Sequence, residues 1–320
     1  MKRTTGLERI LTIIMVMGLL VATSPLAANA ATQVFVSIVP QQYFVEKIGG
    51  PLVDVDVLVM PGANPHMYEP TPRQMTKLSK AKAYFAIGVG LEETWLPRIN
   101  AANQSMRIFH TQRGIEKIPM VAHGHQEEHE DEREAGHEDG HGHDGAEAEH
   151  GHHHDHGTLD PHIWLSPKLA LTIARNTCAG LIRIDPENRK TYESNLAKFL
   201  IEIQKTDAAI TKTLAAVPAD KRTFMVFHPS WGYFANQYGL TQIPIEAEGN
   251  EPSPKHLAEI IEHGRELHIP VIFVQPQFSQ KSAQVIAAEL DARVIPLDPL
   301  AKDWKDNLLQ AAEAFSKTLK

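Results

Sequence analysis

The feature that most constrains the fold is a regular alternation of short apolar runs and amphipathic stretches after residue 30. Runs rich in Val, Ile and Phe predict strands at residues 34–39, 53–59, 83–87, 107–109, 224–228, 242–246, 271–274 and 293–297. Stretches with helical periodicity or helix-start residues predict helices at 72–81, 92–103, 167–183, 231–238, 254–267, 281–290 and 301–320. This alternation is typical of α/β proteins, in which helices cover both faces of parallel sheets.

One predicted helix is much longer than the others. Between Tyr192 and Leu214 the apolar residues are spaced by three, four and seven, which predicts one buried face of a helix over 187–216. Such a helix is roughly 45 Å long. It separates the two groups of strands, so we predict two α/β lobes, at 31–186 and 217–320, joined by it. A single larger sheet is the alternative architecture.

The first thirty residues have the pattern of an export signal. Basic side chains near the start are followed by a largely apolar run of twelve residues, 10–21, which is short for a membrane span. The small-residue pattern Ala28-Asn29-Ala30 then predicts cleavage near Ala30 and Ala31. An N-terminal membrane anchor is the alternative. We expect the mature protein outside the cytoplasm, in the periplasm of a bacterium with two membranes.

Residues 123–156 differ in composition from the rest of the chain. They hold eleven of the eighteen histidines, twelve acidic residues and six glycines, with almost nothing apolar, which predicts a disordered loop. The match of His137-Glu138-Asp139-Gly140-His141 to a zinc-protease motif needs a stable helix, which the surrounding glycines disfavour. We interpret the loop as a set of weak, interchangeable zinc sites, against the alternative of a merely solvated charged loop.

The acidity of the protein comes from this loop alone. The chain carries a net charge of -8, and residues 123–156 contribute twelve acids and one Arg, or -11, so the remainder carries -8 - (-11) = +3. A nearly neutral body of this kind argues against nucleic-acid binding. The single cysteine, Cys178, excludes an intramolecular disulfide and a cysteine-rich metal cluster within one chain.

Four metal-ligating side chains follow predicted strands: His66, His162, His228 and Asp298. Ligands of parallel α/β sheets bind beyond the carboxyl ends of the strands, so we expect these side chains to meet. Three imidazoles and one carboxylate can form a tetrahedral zinc site. His110 is a reserve candidate, and the remaining histidines, His256, His263 and His268, are expected to be solvated. With an ordinary imidazole pKa of about 6.5, such a site would lose zinc below about pH 6.

Longer blocks of sequence surround these candidates: Pro40-x-x-Tyr43-Phe44-Val45-Glu46-Lys47-Ile48-Gly49-Gly50, Pro61-Gly62-Ala63-Asn64-Pro65-His66-x-Tyr68-Glu69-Pro70-Thr71-Pro72, Asp160-Pro161-His162-Ile163-Trp164-Leu165-x-Pro167, Phe227-His228-x-x-Trp231-Gly232-Tyr233-Phe234, Pro276-Gln277-Phe278-Ser279 and Leu297-Asp298-Pro299-Leu300. The blocks resemble the metal-binding solute receptors of zinc and manganese ABC transporters. The resemblance covers essentially the whole chain after the export signal, and it is strongest to the periplasmic zinc-binding receptors.

This resemblance implies two lobes joined by a rigid backbone helix, with the metal held between them. It implies that His66, His162 and His228 are metal ligands and that Asp298 or a water molecule completes the site. Some zinc-binding members use a Glu next to the first histidine, but that position is Pro65 here. Manganese-binding members often have Glu where His228 stands, and imidazole favours zinc.

The predicted function is therefore capture of Zn²⁺ and its delivery to an ABC permease. No nucleotide-binding motif is evident, so a permease and a separate ATPase are the expected partners, with the membrane contacted only through the permease. We expect a monomer and no enzyme activity. The alternatives are a manganese or broad divalent-metal receptor, a zinc buffer or chaperone that uses the loop, and a zinc hydrolase with an open coordination position.

Overall fold

Two parallel sheets of four strands each form the framework of the protein. The structure, a computed structural model, describes residues 31–121, 159–246 and 250–319. The first sheet contains β1 (Thr32–Val36), β2 (Val53–Val57), β3 (Ala83–Ala86) and β4 (Arg107–His110) in the order β2-β1-β3-β4. The second contains β5 (Thr223–Val226), β6 (Thr241–Pro244), β7 (Val271–Val274) and β8 (Arg293–Pro296) in the order β6-β5-β7-β8. The predicted strands are confirmed, and the alternative of one larger sheet is wrong for the described residues.

The two sheets have the same topology, which determines where ligands can bind. In each, the chain moves outward in opposite directions from two central strands, β1 and β3 or β5 and β7. Such a reversal of strand order opens a crevice at the carboxyl ends of the central strands.

The α-helices cover the faces of these sheets: α1 (Val39–Gly49), α2 (Pro72–Leu78), α3 (Leu91–Ala102), α4 (Pro167–Ile184), α5 (Arg189–Leu214), α6 (Gly232–Tyr238), α7 (Pro254–Glu266), α8 (Lys281–Leu290) and α9 (Trp304–Thr318). Helix α1 was not predicted, and its first residue, Val39, lies in the run at 34–39 that predicts a strand. The strand ends at Val36, and Pro40 lies in the first turn of α1, where its fixed backbone angle favours helix formation.

Helix α5 is the predicted long helix, with 26 residues and a length of about 39 Å. A 3₁₀ turn, Pro186–Asn188, precedes it. Its buried face includes Tyr192, Phe199 and Ile210, as the apolar spacing predicts. It packs against α1, α4 and α9.

Helix α9 also joins the two halves of the protein. Its first residue, Trp304, packs against Phe44 of α1 and Phe199 of α5, with ring centroids 5.4 and 6.5 Å away. Near its other end, Phe315 packs against Phe224 and Phe273 of the second sheet. The apolar core is therefore continuous between the sheets, and the predicted lobe boundaries at 186 and 217 stay a prediction.

Two predictions concern residues outside the described ranges: the export signal at 1–30 and the disordered histidine- and acid-rich loop at 123–156. Within the described part of the chain, none of the helices has both the length and the apolar character that a membrane crossing requires.

Candidate metal centre

The structure brings three of the four predicted ligands together at the sheet ends. His66 lies in the 3₁₀ turn Pro65–Met67 after β2, His162 stands just before the 3₁₀ turn Ile163–Leu165, and His228 follows β5. Their potential ligand atoms all lie within 4.8 Å of one another. We call these residues the histidine trio.

The spacing of the trio matches a tetrahedral zinc site. His228 Nε2 lies 3.3 Å from His66 Nε2 and 3.3 Å from His162 Nε2. Zinc–nitrogen bonds of about 2.0–2.1 Å at tetrahedral angles separate neighbouring ligand nitrogens by about 3.3–3.4 Å. The trio also lines a pocket of about 30 Å³, which exceeds the roughly 10–15 Å³ that a cavity needs to hold one water molecule. The arrangement fits one small cation bound through Nε2 atoms.

Two members of the trio are oriented by buried carboxylates. His162 Nδ1 lies 2.8 Å from Asp160 Oδ1, and His228 Nδ1 lies 2.7 Å from Glu246 Oε1. Asp160 is 1% exposed and Glu246 4% exposed, so both contacts are shielded from water. In each pair the carboxylate accepts a hydrogen bond from Nδ1–H, which keeps the proton of the neutral imidazole on Nδ1 and leaves the Nε2 lone pair free for a metal.

The backbone and the ring of His228 have further contacts that fix their position. Gln275 Oε1 accepts a hydrogen bond from the His228 amide at 3.1 Å, and Gln275 Nε2 donates to the His228 carbonyl at 2.8 Å. The ring of Phe278 stacks on the imidazole, with centroids 4.9 Å apart and an interplanar angle of 23°. Glu246 therefore fixes the ring edge of His228, Phe278 packs on the ring face, and Gln275 fixes the backbone.

His66 is held differently. The residue is exposed, and its amide donates to Asn64 Oδ1 at 2.9 Å, which fixes the turn rather than the ring. Its Nε2 end nevertheless lies against His228. Desolvation there, followed by the two neighbouring imidazoles, lowers the pKa of His66 to about 4. Burial also lowers the pKa of His228, and the hydrogen bond to Glu246 acts in the opposite direction. These shifts favour the neutral imidazoles that a metal requires.

One wall of the pocket is formed by Val89 and Gly90 and is supported by a buried carboxylate. Glu92 accepts hydrogen bonds from the amides of Ile87 and Gly88, both at 2.8 Å. Gly88 has a φ of +85°, a conformation that residues with a Cβ rarely adopt. Burial raises the pKa of Glu92. The wall beside the trio is thus shaped by a turn that Glu92 stabilises.

Asp298, the fourth predicted ligand, lies beside the trio but not within it. Among the described His, Cys, Asp and Glu residues, the group whose ligand atoms share the 4.8 Å limit consists of the three histidines. Asp298 Oδ1 accepts hydrogen bonds from Gln277 Nε2 at 2.7 Å and from the Leu300 amide at 2.9 Å. The reserve candidate His110 is also outside the trio, near the side chain of Gln112.

Sequence reasoning missed the two carboxylates that orient the histidines. Asp160 is two residues before His162, a spacing that lets an Asp side chain contact both the amide and the ring of the histidine. Glu246 follows β6 at the same sheet edge that contains His228, so the rule that located the histidines applies to it as well.

Comparison with known proteins places this chain in a family. Residues 34–320 match the family model described as "Zinc-uptake complex component A periplasmic", ZnuA. The high-affinity zinc uptake system protein ZnuA of Bacillus subtilis is 30% identical over 287 residues, which cover 88% of this chain and 83% of that protein. The zinc-binding protein AdcA of Streptococcus pyogenes is 27% identical over 280 residues, and this chain spans 51% of its length.

Solved structures show the same relationship. A crystal structure of ZnuA is 41% identical, with a TM-score of 0.78, and the match covers 91% of this chain and 100% of that one. A zinc-bound deletion mutant of ZnuA is also 41% identical, with a TM-score of 0.76 over 90% of this chain and 98% of that one. A periplasmic metal-binding protein from Candidatus Liberibacter asiaticus shares the fold. It is 22% identical, with a TM-score of 0.72, and the match covers 90% of this chain and 100% of that one.

Proposed function

Because the chain belongs to the ZnuA family of periplasmic zinc-uptake components, we propose that it captures Zn²⁺ outside the cytoplasm for uptake by an ABC transporter. The observation that carries this proposal is the convergence of three imidazoles, in which His228 Nε2 lies 3.3 Å from the Nε2 atoms of both His66 and His162, the separation expected between ligands of a tetrahedral zinc site. Zn²⁺ is the cargo, and the protein binds and releases it unchanged.

The residues proposed to bind the ion are His66, His162 and His228, with Asp298 on the fourth side of the site. Imidazole nitrogens suit zinc better than manganese, which prefers carboxylate, carbonyl and water oxygens. The trio therefore supports zinc over the alternative of a manganese receptor. A buffer that used residues 123–156 alone would not need the trio or its buried carboxylates.

The proposed partners are an ABC permease, to which the loaded protein delivers zinc, and the ATPase that drives the permease. We propose that the protein is exported after cleavage near Ala30 and Ala31, acts as a monomer and contacts the membrane through the permease only. Catalysis is not part of the proposed function. The histidine trio and the pocket walls enclose the ion, which suits capture and later release of the ion.

A zinc titration against a competing chelator tests this function. The mature protein should bind one ion tightly and further ions weakly, and manganese should not displace the tight ion at equal concentration. The matched comparison replaces His228 by Ala in the trio and the exposed His268 by Ala outside it. Only His228→Ala should remove the tight ion. Tight binding that survives in His228→Ala would contradict the proposal.

A further inference from the structure

Two tryptophans connect the segment that follows the last strand to the residues that follow His162. Trp164 Nε1 donates to the carbonyl of Pro299 at 2.8 Å, and Trp304 Nε1 donates to the carbonyl of Trp164 at 2.6 Å. Pro299 lies between β8 and α9, and Trp304 is the first residue of α9. The segment 299–304 is therefore attached at both ends to residue 164. We call these two hydrogen bonds the tryptophan clamp.

The clamp crosses between the two sheets at the pocket. Trp164 precedes α4, which packs against β3 and β4 of the first sheet, whereas Pro299 follows β8 of the second sheet. Both residues line the pocket. The histidine trio is divided in the same way, since His66 follows β2 and His228 follows β5. The distance between these imidazoles therefore depends on how the two sheets are held together beside the pocket.

The two indoles are buried in different surroundings. Trp164 and Trp304 are each 1% exposed, so water does not compete for their N–H groups. The ring of Trp164 lies 5.2 Å from that of His162, measured between centroids. The ring of Trp304 packs instead against Phe44 and Phe199, and Trp304 is not one of the described residues that line the pocket. A change at Trp304 therefore reaches the proposed zinc site indirectly.

Contacts between the sheets matter most before the metal arrives. A bound ion would itself connect the two sheets through the trio, and the metal-free protein lacks that connection. If only part of the metal-free population holds the imidazoles at binding distance, the apparent affinity for the metal falls in proportion to that fraction. Contacts that keep the pocket assembled without metal therefore raise the affinity although they do not touch the ion.

We propose that Trp164 and Trp304 are positioning residues that keep the pocket assembled in the metal-free protein, by holding the segment 299–304 against the residues after His162. This inference rests on the proposed function of the trio as a zinc site. It predicts that the two sheets keep the same separation with and without zinc. Breaking the clamp should let the sheets separate in the metal-free protein, and zinc should draw them together again.

Trp304→Phe in the mature full-length chain tests the clamp by chelator competition. The variant keeps an aromatic ring but loses the indole N–H, so zinc affinity should fall about 3–10-fold, the net contribution of one buried hydrogen bond. Trp164→Phe should lose at least as much, because its ring also lines the pocket. Trp231→Phe is the matched control, since Trp231 is buried and its Nε1 has no hydrogen-bond partner among the described residues. Its zinc affinity should equal that of the wild type.

Thermal melting of the metal-free variants separates the clamp from a general loss of stability. Trp304→Phe and Trp231→Phe each shrink a buried ring, and both should melt below the wild type. A merely structural role for Trp304 predicts the same zinc affinity in these two variants, and that result would overturn the clamp. If Trp304→Phe does not fold, Trp164→Phe takes its place in the comparison.

The distance between two spin labels gives a second readout, with zinc as the rescue. Lys80→Cys, before β3, and Lys281→Cys, at the start of α8, are exposed label sites beside the first and second sheets, and Cys178→Ala removes the natural thiol. Zinc should leave the wild-type distance unchanged. The clamp variant Trp304→Phe should show a broader metal-free distribution that returns to the wild-type distance with zinc.

Two results of the distance measurement would overturn the clamp: a wild-type distance that changes on zinc addition, or a metal-free Trp304→Phe distribution that equals that of the wild type. Unchanged zinc affinity in both Trp304→Phe and Trp164→Phe would also overturn the clamp while leaving the proposed function intact. Absence of tight zinc binding in the wild type would instead contradict the proposed function.

Discussion

The buried pair His162 and His228 and the exposed His66 show two ways of presenting an imidazole to the proposed zinc site. Each histidine of the buried pair lies against a buried carboxylate, and their rings are enclosed by the protein. His66 projects from an exposed turn whose neighbour Met67 is 83% exposed, and its turn is fixed by the side chain of Asn64.

This difference concerns preorganisation. The carboxylates fix the tautomer of the buried pair before a metal arrives, so little ordering remains to be done on binding. The turn that contains His66 relies on a local hydrogen bond to Asn64, and Gly62, with a φ of +79°, lies three residues before its first residue. In the proposed zinc site, the buried pair would therefore set the position of the ion, and His66 would close the site from the solvent side.

Removing a member of the buried pair should have the largest effect on zinc affinity. His228→Ala deletes a ligand and also leaves the Glu246 carboxylate buried without its imidazole partner, whereas His66→Ala deletes only a ligand. All three alanine variants should lose tight zinc binding, by more than the roughly 10–100-fold that a supporting hydrogen bond contributes. In a chelator competition assay, His66→Ala should retain the most residual affinity. A smaller loss in His228→Ala than in His66→Ala would reverse the comparison.

Substitution of the two carboxylates should have the next largest effect on zinc affinity. Glu246→Gln and Asp160→Asn keep the shape of the side chain but remove its charge, and each should weaken zinc binding by about 10–100-fold. Asn64→Ala is the equivalent change on the side of His66 and should cost less, because Asn64 contacts the backbone and not the ring. Calorimetric titration of the three variants gives the order. Equal losses in all three would show that tautomer control is not what distinguishes the buried pair.

Zinc binding should be lost at a lower pH than expected for histidines with an ordinary pKa. Because the pKa of His66 is lowered to about 4 and that of His228 is lowered by burial, both imidazoles stay neutral below the ordinary value. Protons then compete with zinc only at lower pH, so binding should persist below the pH of about 6 expected for ordinary histidines. Zinc titrations from about pH 4 to 8 would test this, and a loss centred near 6.5 would contradict it.

The same shifts predict the stability of the metal-free protein. Below about pH 6.5 the unfolded chain takes up protons on these histidines while the folded protein does not, so the free energy of unfolding should fall as pH falls. Thermal melts of wild-type and His66→Ala protein at pH 7.5 and 5.5 measure this contribution. His66→Ala should lose less stability on acidification than the wild type, and the reverse result would contradict the lowered pKa.

Deletion of residues 123–156 should have the smallest effect on the tight site. Neither the histidine trio nor its carboxylates belong to this segment, whose composition offers weak and interchangeable ligands. The deletion variant should therefore keep one tight zinc ion and its melting temperature, and lose only the weaker ions in a stoichiometric titration. A large drop in tight affinity would show that the segment takes part in the site.

The sequence was sufficient for most of the fold because strand and helix periodicities here agree with the tertiary structure. The exception is α1, where only Ser37 separates the strand from the apolar Ile38 and Val39 and only Pro40 indicates the change to helix. The positions of His66, His162 and His228 followed from the rule that ligands gather at strand ends. Their orientation did not, because tautomer control depends on Glu246 and Asp160 contacts that no periodicity encodes. The hydrogen bonds of Trp164 and Trp304 likewise depend on side-chain geometry.

The central claim is that one zinc ion is bound by Nε2 of His66, His162 and His228. A crystal structure of the zinc-loaded protein, with anomalous diffraction at the zinc edge, tests it most directly. We expect one strong anomalous peak about 2.0–2.1 Å from each of the three Nε2 atoms, with Asp160 still hydrogen-bonded to Nδ1 of His162 and Glu246 to Nδ1 of His228. A fully occupied peak bonded to fewer than three of these nitrogens, or lying outside the pocket, would contradict it.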